Sequence, residues 1–131
     1  MEVLASRILL QARDLDITLA FYEGALGLHR FREFGSPPHR GVVFFLGGGY
    51  LEVTETDPAI VPEPPAGIRV WVQVRDVAAA VSALNDAGVA IAEPAECKPW
   101  GLVEATVHDP DGLPLVLVEI PRDHPMRRDT R

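Results

Sequence analysis

The sequence predicts an α+β fold built from two copies of one βαβββ module. The octapeptide RILLQARD at 7–14 recurs as RVWVQVRD at 69–76, with arginine, glutamine, arginine and aspartate in the same register. An amphipathic segment that ends in glycine follows each copy, and three strand-like segments follow each amphipathic segment. An internal repeat of this kind is typical of a duplicated structural unit.

The first copy gives the elements of the first module. The apolar segment ILLQA at 8–12 predicts a strand, and Asp14 predicts the N-cap of a helix. Apolar residues recur at helical spacing after Asp14, which predicts a helix that stops at Gly27. Turns rich in glycine and proline separate three further predicted strands, at 29–34, 42–46 and 50–56.

The second copy predicts the same order. VWVQV at 70–74 is a β-branched strand pattern, Asp76 is the predicted N-cap, and the helix is predicted to stop at Gly88. The segments CKPWG and DPDG predict turns between the last three strands, at 89–94, 102–108 and 114–120.

Proline content marks the boundary between the modules. Four prolines fall within ten residues, which predicts a linker, and the polar C-terminus predicts a frayed end. We therefore predict a first module at 1–56, a proline-rich linker at 57–67, a second module at 68–121 and a flexible tail at 122–131.

Composition limits the partners that this chain is expected to have. The chain has 131 residues, of which 47% are hydrophobic and 24% are charged, and its formal net charge is -7. An acidic protein is a poor partner for nucleic acid, and no apolar run approaches the roughly 18 to 20 residues of a membrane span. No signal-peptide pattern opens the sequence, so we expect a cytoplasmic protein that binds neither nucleic acid nor membrane.

Cysteine and histidine offer little for catalysis or metal binding. The single cysteine, Cys97, forms no internal disulfide, and Lys98 is the only basic residue near it in sequence, so the sequence shows no general base for a thiolate nucleophile. We expect the four histidines to be surface or turn residues, namely His29, His39, His108 and His124.

Three stretches resemble a known family. RDLDITLAFYEGALGL (13–28), PWG (99–101) and HDPDGLPLVLVE (108–119), together with the repeat, resemble the vicinal oxygen chelate superfamily. That superfamily groups glyoxalases, bleomycin-resistance proteins and extradiol dioxygenases. The resemblance implies paired βαβββ modules whose sheets curl into a ligand cup, which is commonly completed in a homodimer. It also implies, in metal-dependent members, an ion held by residues on the first and last strand of each module.

The ligand scheme of the superfamily falls on four positions here. They are Arg7 and Glu52 in the first module, and Arg69 and Val116 in the second. Arginine stays protonated and valine has no lone pair, so only Glu52 can bind a metal. Because a divalent ion needs about three good protein ligands, we expect neither a metal nor another cofactor.

Strand alternation selects the residues that would line the cup, because every second side chain shares a face. The predicted ligand-binding residues are Arg7, Leu9, Gln11, Tyr50, Glu52, Arg69, Trp71, Gln73, Trp100, Glu104 and Val116. Two roles remain open for the arginines: a salt-bridged cluster with Glu52, or a grip on an anionic or carbonyl-bearing ligand. Trp71 and Trp100 could stack on a flat ligand. Alternatively, Trp71 packs in the core and Trp100 anchors its loop.

The sequence thus favours a metal-independent protein that binds a small organic molecule, with antibiotic sequestration as the specific hypothesis. The alternative is a glyoxalase-like lyase or isomerase, or a dioxygenase, with an atypical site in which Glu52 acts as a general base. A regulatory or scaffolding module with an empty, collapsed cup is a third hypothesis. Ligand identity stays open, as does whether the modules pair within one chain or between chains.

Overall fold

The computed structural model describes residues 1–57, 59–60, 63 and 66–127. The chain divides into two compact units, 1–64 and 65–131, and each unit contains one four-stranded sheet. The predicted α+β class is confirmed, and so is the duplicated βαβββ order. Among the described residues no helix is both long enough and apolar enough to cross a membrane.

The first unit runs from strand to helix to three strands. Its elements are β1 (Arg7–Ala12), α1 (Leu15–Leu19), β2 (Arg30–Phe34), β3 (Gly41–Leu46) and β4 (Gly49–Glu55). The sheet order is β1-β4-β3-β2, in which β1 lies parallel to β4 and the other pairs are antiparallel. The long connection through α1 is what allows β1 and β4 to pair in parallel.

The first helix begins as predicted but continues differently. The Asp14 side chain accepts a hydrogen bond from the backbone N–H of Ile17 at 3.2 Å, so the N-cap prediction is confirmed. The predicted single helix to Gly27 is instead α1 followed by a π-helix at Ala20–Ala25. In the wider π turn two consecutive aromatic residues, Phe21 and Tyr22, are both buried.

The core of the first unit lies between the helix and one face of the sheet. The Tyr22 ring centroid lies 6.4 Å from that of Phe44, and Phe44 pairs with Leu51 across β3 and β4. The helix therefore covers the face that carries Phe44 and Leu51, both fully buried. Because side chains alternate along a strand, the neighbouring residues of β3 and β4 lie on the other side. We call that side the helix-free face of the first sheet.

Arg40 links three parts of the first unit. Its Nε and Nη2 donate to Glu55 Oε1 at 2.8 and 2.6 Å, and its backbone N–H donates to Glu55 Oε2 at 2.8 Å. Its Nη1 donates to Asp16 Oδ1 at 3.2 Å, which connects the strands to α1. Hydrogen bonding to the Arg40 guanidinium and backbone lowers the pKa of Glu55 below its ordinary value of 4.5.

The second unit repeats this order. Its elements are β5 (Val70–Gln73), α2 (Val77–Asp86), β6 (Ile91–Cys97), β7 (Val103–His108) and β8 (Pro114–Glu119), in the sheet order β5-β8-β7-β6. The Asp76 side chain accepts from the Ala79 N–H at 2.9 Å, which confirms this N-cap prediction too. Glu119 Oε2 accepts from the Val77 N–H at 3.0 Å, so the last strand also caps α2.

Strand β6 corrects the sequence prediction at 89–94. It runs from Ile91 to Cys97, and Pro94 lies inside it. The pairing with β7 shifts register between Glu93 and Glu96, on either side of the proline. Proline has no N–H for a strand ladder, and an edge strand with an irregular register accommodates it. The turn accordingly begins at Lys98, whose carbonyl accepts from the Gly101 N–H at 2.8 Å.

The predicted linker and tail fall partly outside the described residues. All four linker prolines lie outside them, at 58, 62, 64 and 65, and so do residues 128–131. Within the described part of the tail, His124 Nε2 lies 3.0 Å from the Trp100 carbonyl oxygen. His124 Nδ1 accepts from the Met126 N–H at 3.1 Å. Since Nδ1 accepts, Nε2 carries the proton and donates to Trp100, which ties the tail to the PWG turn.

Candidate functional site

The helix-free face of the first sheet brings together several predicted site residues. Strand pairing places Arg7 beside Tyr50, and Leu9 beside Glu52. The next strand adds Phe45 beside Tyr50 and Val43 beside Glu52. Directly paired residues of adjacent strands share a face, so these side chains form two neighbouring rows across the sheet.

Arg7 and Glu52 form an ion pair on this face. The Arg7 Nη1 donates to Glu52 Oε1 at 2.8 Å, and the Arg7 Cζ lies 5.5 Å from the Tyr50 ring centroid. This contact joins Glu52 to one of the two arginines of the predicted salt-bridged cluster. The two side chains remain 37% and 20% exposed, so water and a ligand can both reach the pair.

Beside this ion pair lie three aromatic rings, Phe31, Phe45 and Tyr50, which we call the aromatic trio. The Phe31 centroid lies 5.1 Å from that of Phe45 and 5.0 Å from that of Tyr50, and the Phe45 and Tyr50 centroids are 5.9 Å apart. Phe31 and Phe45 are 47% and 45% exposed, and nearby Leu9 is 68% exposed. Contiguous exposed apolar side chains of this kind mark binding surfaces.

Sequence reasoning missed Phe31 and Phe45. Phe45 could have been found, because a hairpin through the glycine turn at 47–49 places it opposite Tyr50. Phe31 could not have been found in this way. The β2–β3 pairing shifts between Arg30 and Arg32, so Phe31 is an extra residue whose side chain leaves the simple alternation.

Arg32 and Phe34 continue the helix-free face toward the other end of β2. Arg32 pairs with Val43, and its Cζ lies 5.3 Å from the Phe34 ring centroid. The Phe34 ring lies directly over Gly41, where an added Cβ would meet ring atoms at 2.2 to 2.8 Å. The glycine therefore makes room for the ring that supports the arginine.

The second unit carries its predicted site residues on the corresponding face of its own sheet. Trp71 pairs with Val116 and Gln73 pairs with Val118, and Trp71 is 48% exposed. Val116 is only 6% exposed, in an apolar cluster with Leu102, Val118 and Ile120. Val116 thus contributes methyl groups to a packed cluster.

The remaining predicted residues are spread over both units. Glu104 pairs with Val118 and with Glu96, while Arg69 is exposed just before β5. Trp100 is exposed in the turn, where its carbonyl accepts from His124. Gln11 is exposed on β1 and pairs with Thr54 of the first unit.

Comparison with known families decides the classification. The family model of the Glyoxalase/Bleomycin resistance protein/Dioxygenase superfamily matches residues 5–117. The chain belongs to this superfamily. The resemblance seen in the sequence is thereby confirmed, whereas the comparison with curated proteins found no match.

Solved structures of the superfamily's fold resemble this chain over nearly its whole length. SMU.1112c is 26% identical with a TM-score of 0.77, and the match covers 91% of this chain and 99% of that one. A glyoxalase family protein from Enterococcus faecalis is 28% identical with a TM-score of 0.70, and the match covers 90% of this chain and 97% of that protein. The fosfomycin resistance protein FosX from Listeria monocytogenes is 18% identical with a TM-score of 0.75, and the match covers 95% of this chain and 98% of FosX. At this identity the similarity shows a shared fold.

The residues at the four positions that the resemblance implies for metal ligands have side chains that do not suit a divalent ion. In the first unit the Glu52 carboxylate is bonded to the permanently charged Arg7 guanidinium. In the second unit, Val116 is buried and apolar, and Arg69 offers no lone pair. Within the described ranges no three His, Cys, Asp or Glu side chains come together in a way that could hold an ion.

Proposed function

We propose that this superfamily member binds a small organic molecule without the help of a metal ion, on the helix-free face of its first sheet. The observation that carries the proposal is the aromatic trio, with Phe31 and Phe45 exposed, beside the Arg7–Glu52 ion pair. A packed structural face would bury rings of this size. A ligand that covers them would remove apolar surface from water, worth about 25 cal/mol per Å².

The arrangement suits a flat, partly polar molecule. Offset or edge-to-face contacts between aromatic rings contribute about 0.5–1.5 kcal/mol beyond the area that they bury. The Arg7 guanidinium already lies over one of the rings, and it offers hydrogen-bond donors at the edge of the aromatic surface. The face thus supplies both a stacking surface and a polar group that fixes orientation.

Sequestration of an antibiotic by a cytoplasmic homodimer is the specific form of this proposal. Its support is the superfamily, which includes bleomycin resistance proteins, and the shared fold of a fosfomycin resistance protein. A binding protein of this kind needs no catalytic group, which agrees with the residues at the metal positions. The fold alone does not select the ligand.

Calorimetric titration tests the proposal directly. Untagged protein is titrated with quinone and glycopeptide drugs, and its metal content is measured before and after incubation with Zn, Fe, Mn and Ni. We expect at least one planar compound to bind more tightly than about 1 mM, or roughly 4 kcal/mol. Phe45→Ala should weaken that binding at least about fivefold, because it removes a stacking ring. No binding at that level, or one stoichiometric ion per chain, would contradict the proposal.

A matched control separates binding at the aromatic trio from nonspecific binding to exposed apolar side chains. Ile17 is exposed on α1, which covers the opposite face of the first sheet. Ile17→Ala removes exposed apolar surface as Phe45→Ala does, but away from the aromatic trio. Equal weakening by both substitutions would mean that the compound does not bind at the trio.

The enzymatic alternative requires Glu52 to act as a general base. A general base must take a proton from the substrate, and the Oε1 atom of Glu52 already accepts from Arg7. Glu52→Gln would abolish turnover if Glu52 were the base, whereas aromatic binding would survive. Measured lyase or isomerase turnover of a hemithioacetal that is lost in Glu52→Gln would favour the enzyme.

A further inference from the structure

The net charge of the helix-free face of the first sheet is opposite in sign to the net charge of the whole chain. The chain carries a formal net charge of -7, yet this face presents two arginines, Arg7 and Arg32, and one glutamate, Glu52. The glutamate is bonded to Arg7. The face therefore has an excess of one positive charge.

The uncompensated charge belongs to Arg32. In the described part of the chain Arg32 makes no ion pair, and its guanidinium lies over the Phe34 ring at 5.3 Å. A ring face attracts a cation but does not neutralise it, and all five N–H donors of a guanidinium remain available in its plane. Arg32 is thus held in place with its donors unused by any carboxylate.

Arg7 also has spare donors. It makes one hydrogen bond in the described residues, from Nη1 to Glu52, and its guanidinium lies over Tyr50. A guanidinium has five N–H groups in a fixed fork that matches carboxylate, sulfonate and phosphate oxygens. Both guanidiniums therefore have N–H groups that no carboxylate of the described residues uses, and each lies over a half-buried aromatic ring.

The irregular pairing of β2 brings the charge and the rings together. Phe31 is the extra residue of the register shift, and its ring contacts Phe45 and Tyr50. Arg32 is the next residue along the strand and pairs with Val43 on the same face. A regular strand would send consecutive residues to opposite faces. Here the irregularity places a ring and a cation side by side.

We propose that the ligand of this face is a planar aromatic anion, whose ring system lies on the aromatic trio and whose acidic group is held by Arg32. This inference rests on the proposed function, since it names the chemical class of the ligand for the same site. Arg7 supports the anion with its remaining donors, while Glu52 keeps Arg7 in position. An aromatic cation would meet the excess positive charge and bind less well.

Two fluorescent probes of one scaffold test the charge preference. Anilinonaphthalene sulfonate is an aromatic anion, and phenylnaphthylamine is the same ring system without the sulfonate. We expect Arg32→Gln to weaken the anionic probe about fivefold or more and to leave the neutral probe unchanged, because only the anion uses the guanidinium. Raising salt from about 0.1 to 1 M should weaken the anion selectively.

Arg122→Gln is the matched control, since Arg122 is exposed near the C-terminal end of the described residues and the substitution makes the same charge change. It should alter neither probe. Phe45→Leu, which keeps an apolar side chain in case Phe45→Ala folds poorly, should weaken both probes. If Phe45 substitutions weaken the binding of both probes but Arg32→Gln leaves the affinity for the anionic probe unchanged, the binding site is supported and the assignment of an anionic ligand is overturned.

Two other outcomes would overturn the inference in different ways. If substitutions at Phe45 affect neither probe, the proposed binding site itself is wrong. If sedimentation shows that the chain dimerises and bound probe falls in step with dimer formation, a second copy occupies this face. Equal loss of both probes in Arg32→Gln would assign Arg32 a packing role on Phe34 and not a ligand contact.

Discussion

Gly41 is a residue whose identity follows from the geometry of the helix-free face. The Phe34 ring occupies the space of its missing side chain. Gly41→Ala would push the ring away, and overpacking of this kind costs about 1–3 kcal/mol of unfolding free energy. We expect a lower urea midpoint, together with weaker binding of an anionic probe because Arg32 loses its support. Gly48→Ala, at a position with no heavy atom within 4 Å of the added Cβ, should not lower the urea midpoint.

Thr18 places a polar side chain in a buried position. It is buried in α1, and among the described residues its hydroxyl has no hydrogen-bond partner. An unsatisfied buried hydroxyl costs about 1–3 kcal/mol, while valine has nearly the same helix propensity as threonine. We expect Thr18→Val to raise the free energy of unfolding by about 1 kcal/mol in urea titrations. Thr18→Ser, which keeps the hydroxyl and loses a methyl group, should lower it. Destabilisation by Thr18→Val would mean that the hydroxyl has a partner after all.

At the scale of the element, regular local signals were predictable and irregular ones were not. Asp14 and Asp76 cap their helices as predicted, because a short acceptor before an apolar helical segment has few other roles. The π turn at Ala20–Ala25 and the extension of β6 through Pro94 were not predictable. Each depends on a tertiary partner: the sheet beneath Phe21 and Tyr22, or the neighbouring strand β7.

The π-helical segment offers a test at the same scale. Gly24 lies inside it, and no heavy atom lies within 4 Å of the Cβ that alanine would add. Alanine reduces the freedom of the unfolded chain, so Gly24→Ala should stabilise the protein by about 0.5–1 kcal/mol in denaturant unfolding. Gly27→Ala should have the opposite sign, since Gly27 has a φ of 72° that an L side chain rarely adopts. A loss of stability in Gly24→Ala would mean that the π turn itself needs the glycine.

At the scale of the whole molecule, the repeat in the sequence predicted two similar units, and strand parity then placed Arg7, Tyr50 and Glu52 on one face. The same parity could not predict that the first unit would expose rings where the second unit packs Val116 and Val118. The register shift in β2 contributes to that difference because it adds Phe31 to the face, beside the regularly paired Phe45 and Tyr50. A duplicated fold therefore carries two different surfaces, and only their shared backbone could be predicted from the repeat.

Acid unfolding should distinguish the two units. The pKa values of Glu23 and Glu55 are lowered chiefly by hydrogen bonds from Arg30 and Arg40, and both carboxyl groups lie in the first unit. A lowered folded-state pKa contributes stability above the ordinary value of 4.5, which is lost as pH falls below it. Glu55→Gln and Arg40→Gln should therefore remove part of the pH dependence of stability between about pH 5 and 3.

The aromatic residues report on each unit separately in this experiment. Both tyrosines, Tyr22 and Tyr50, lie in the first unit, whereas both tryptophans, Trp71 and Trp100, lie in the second. We expect the tyrosine absorbance transition to begin at a higher pH than the tryptophan fluorescence transition, because both carboxyl groups with a lowered pKa, Glu23 and Glu55, lie in the first unit. Glu55→Gln should shift the tyrosine transition and leave the tryptophan transition in place. If both signals change together at every pH, the two units unfold as one cooperative structure and the local effect of these carboxylates is spread over the whole chain.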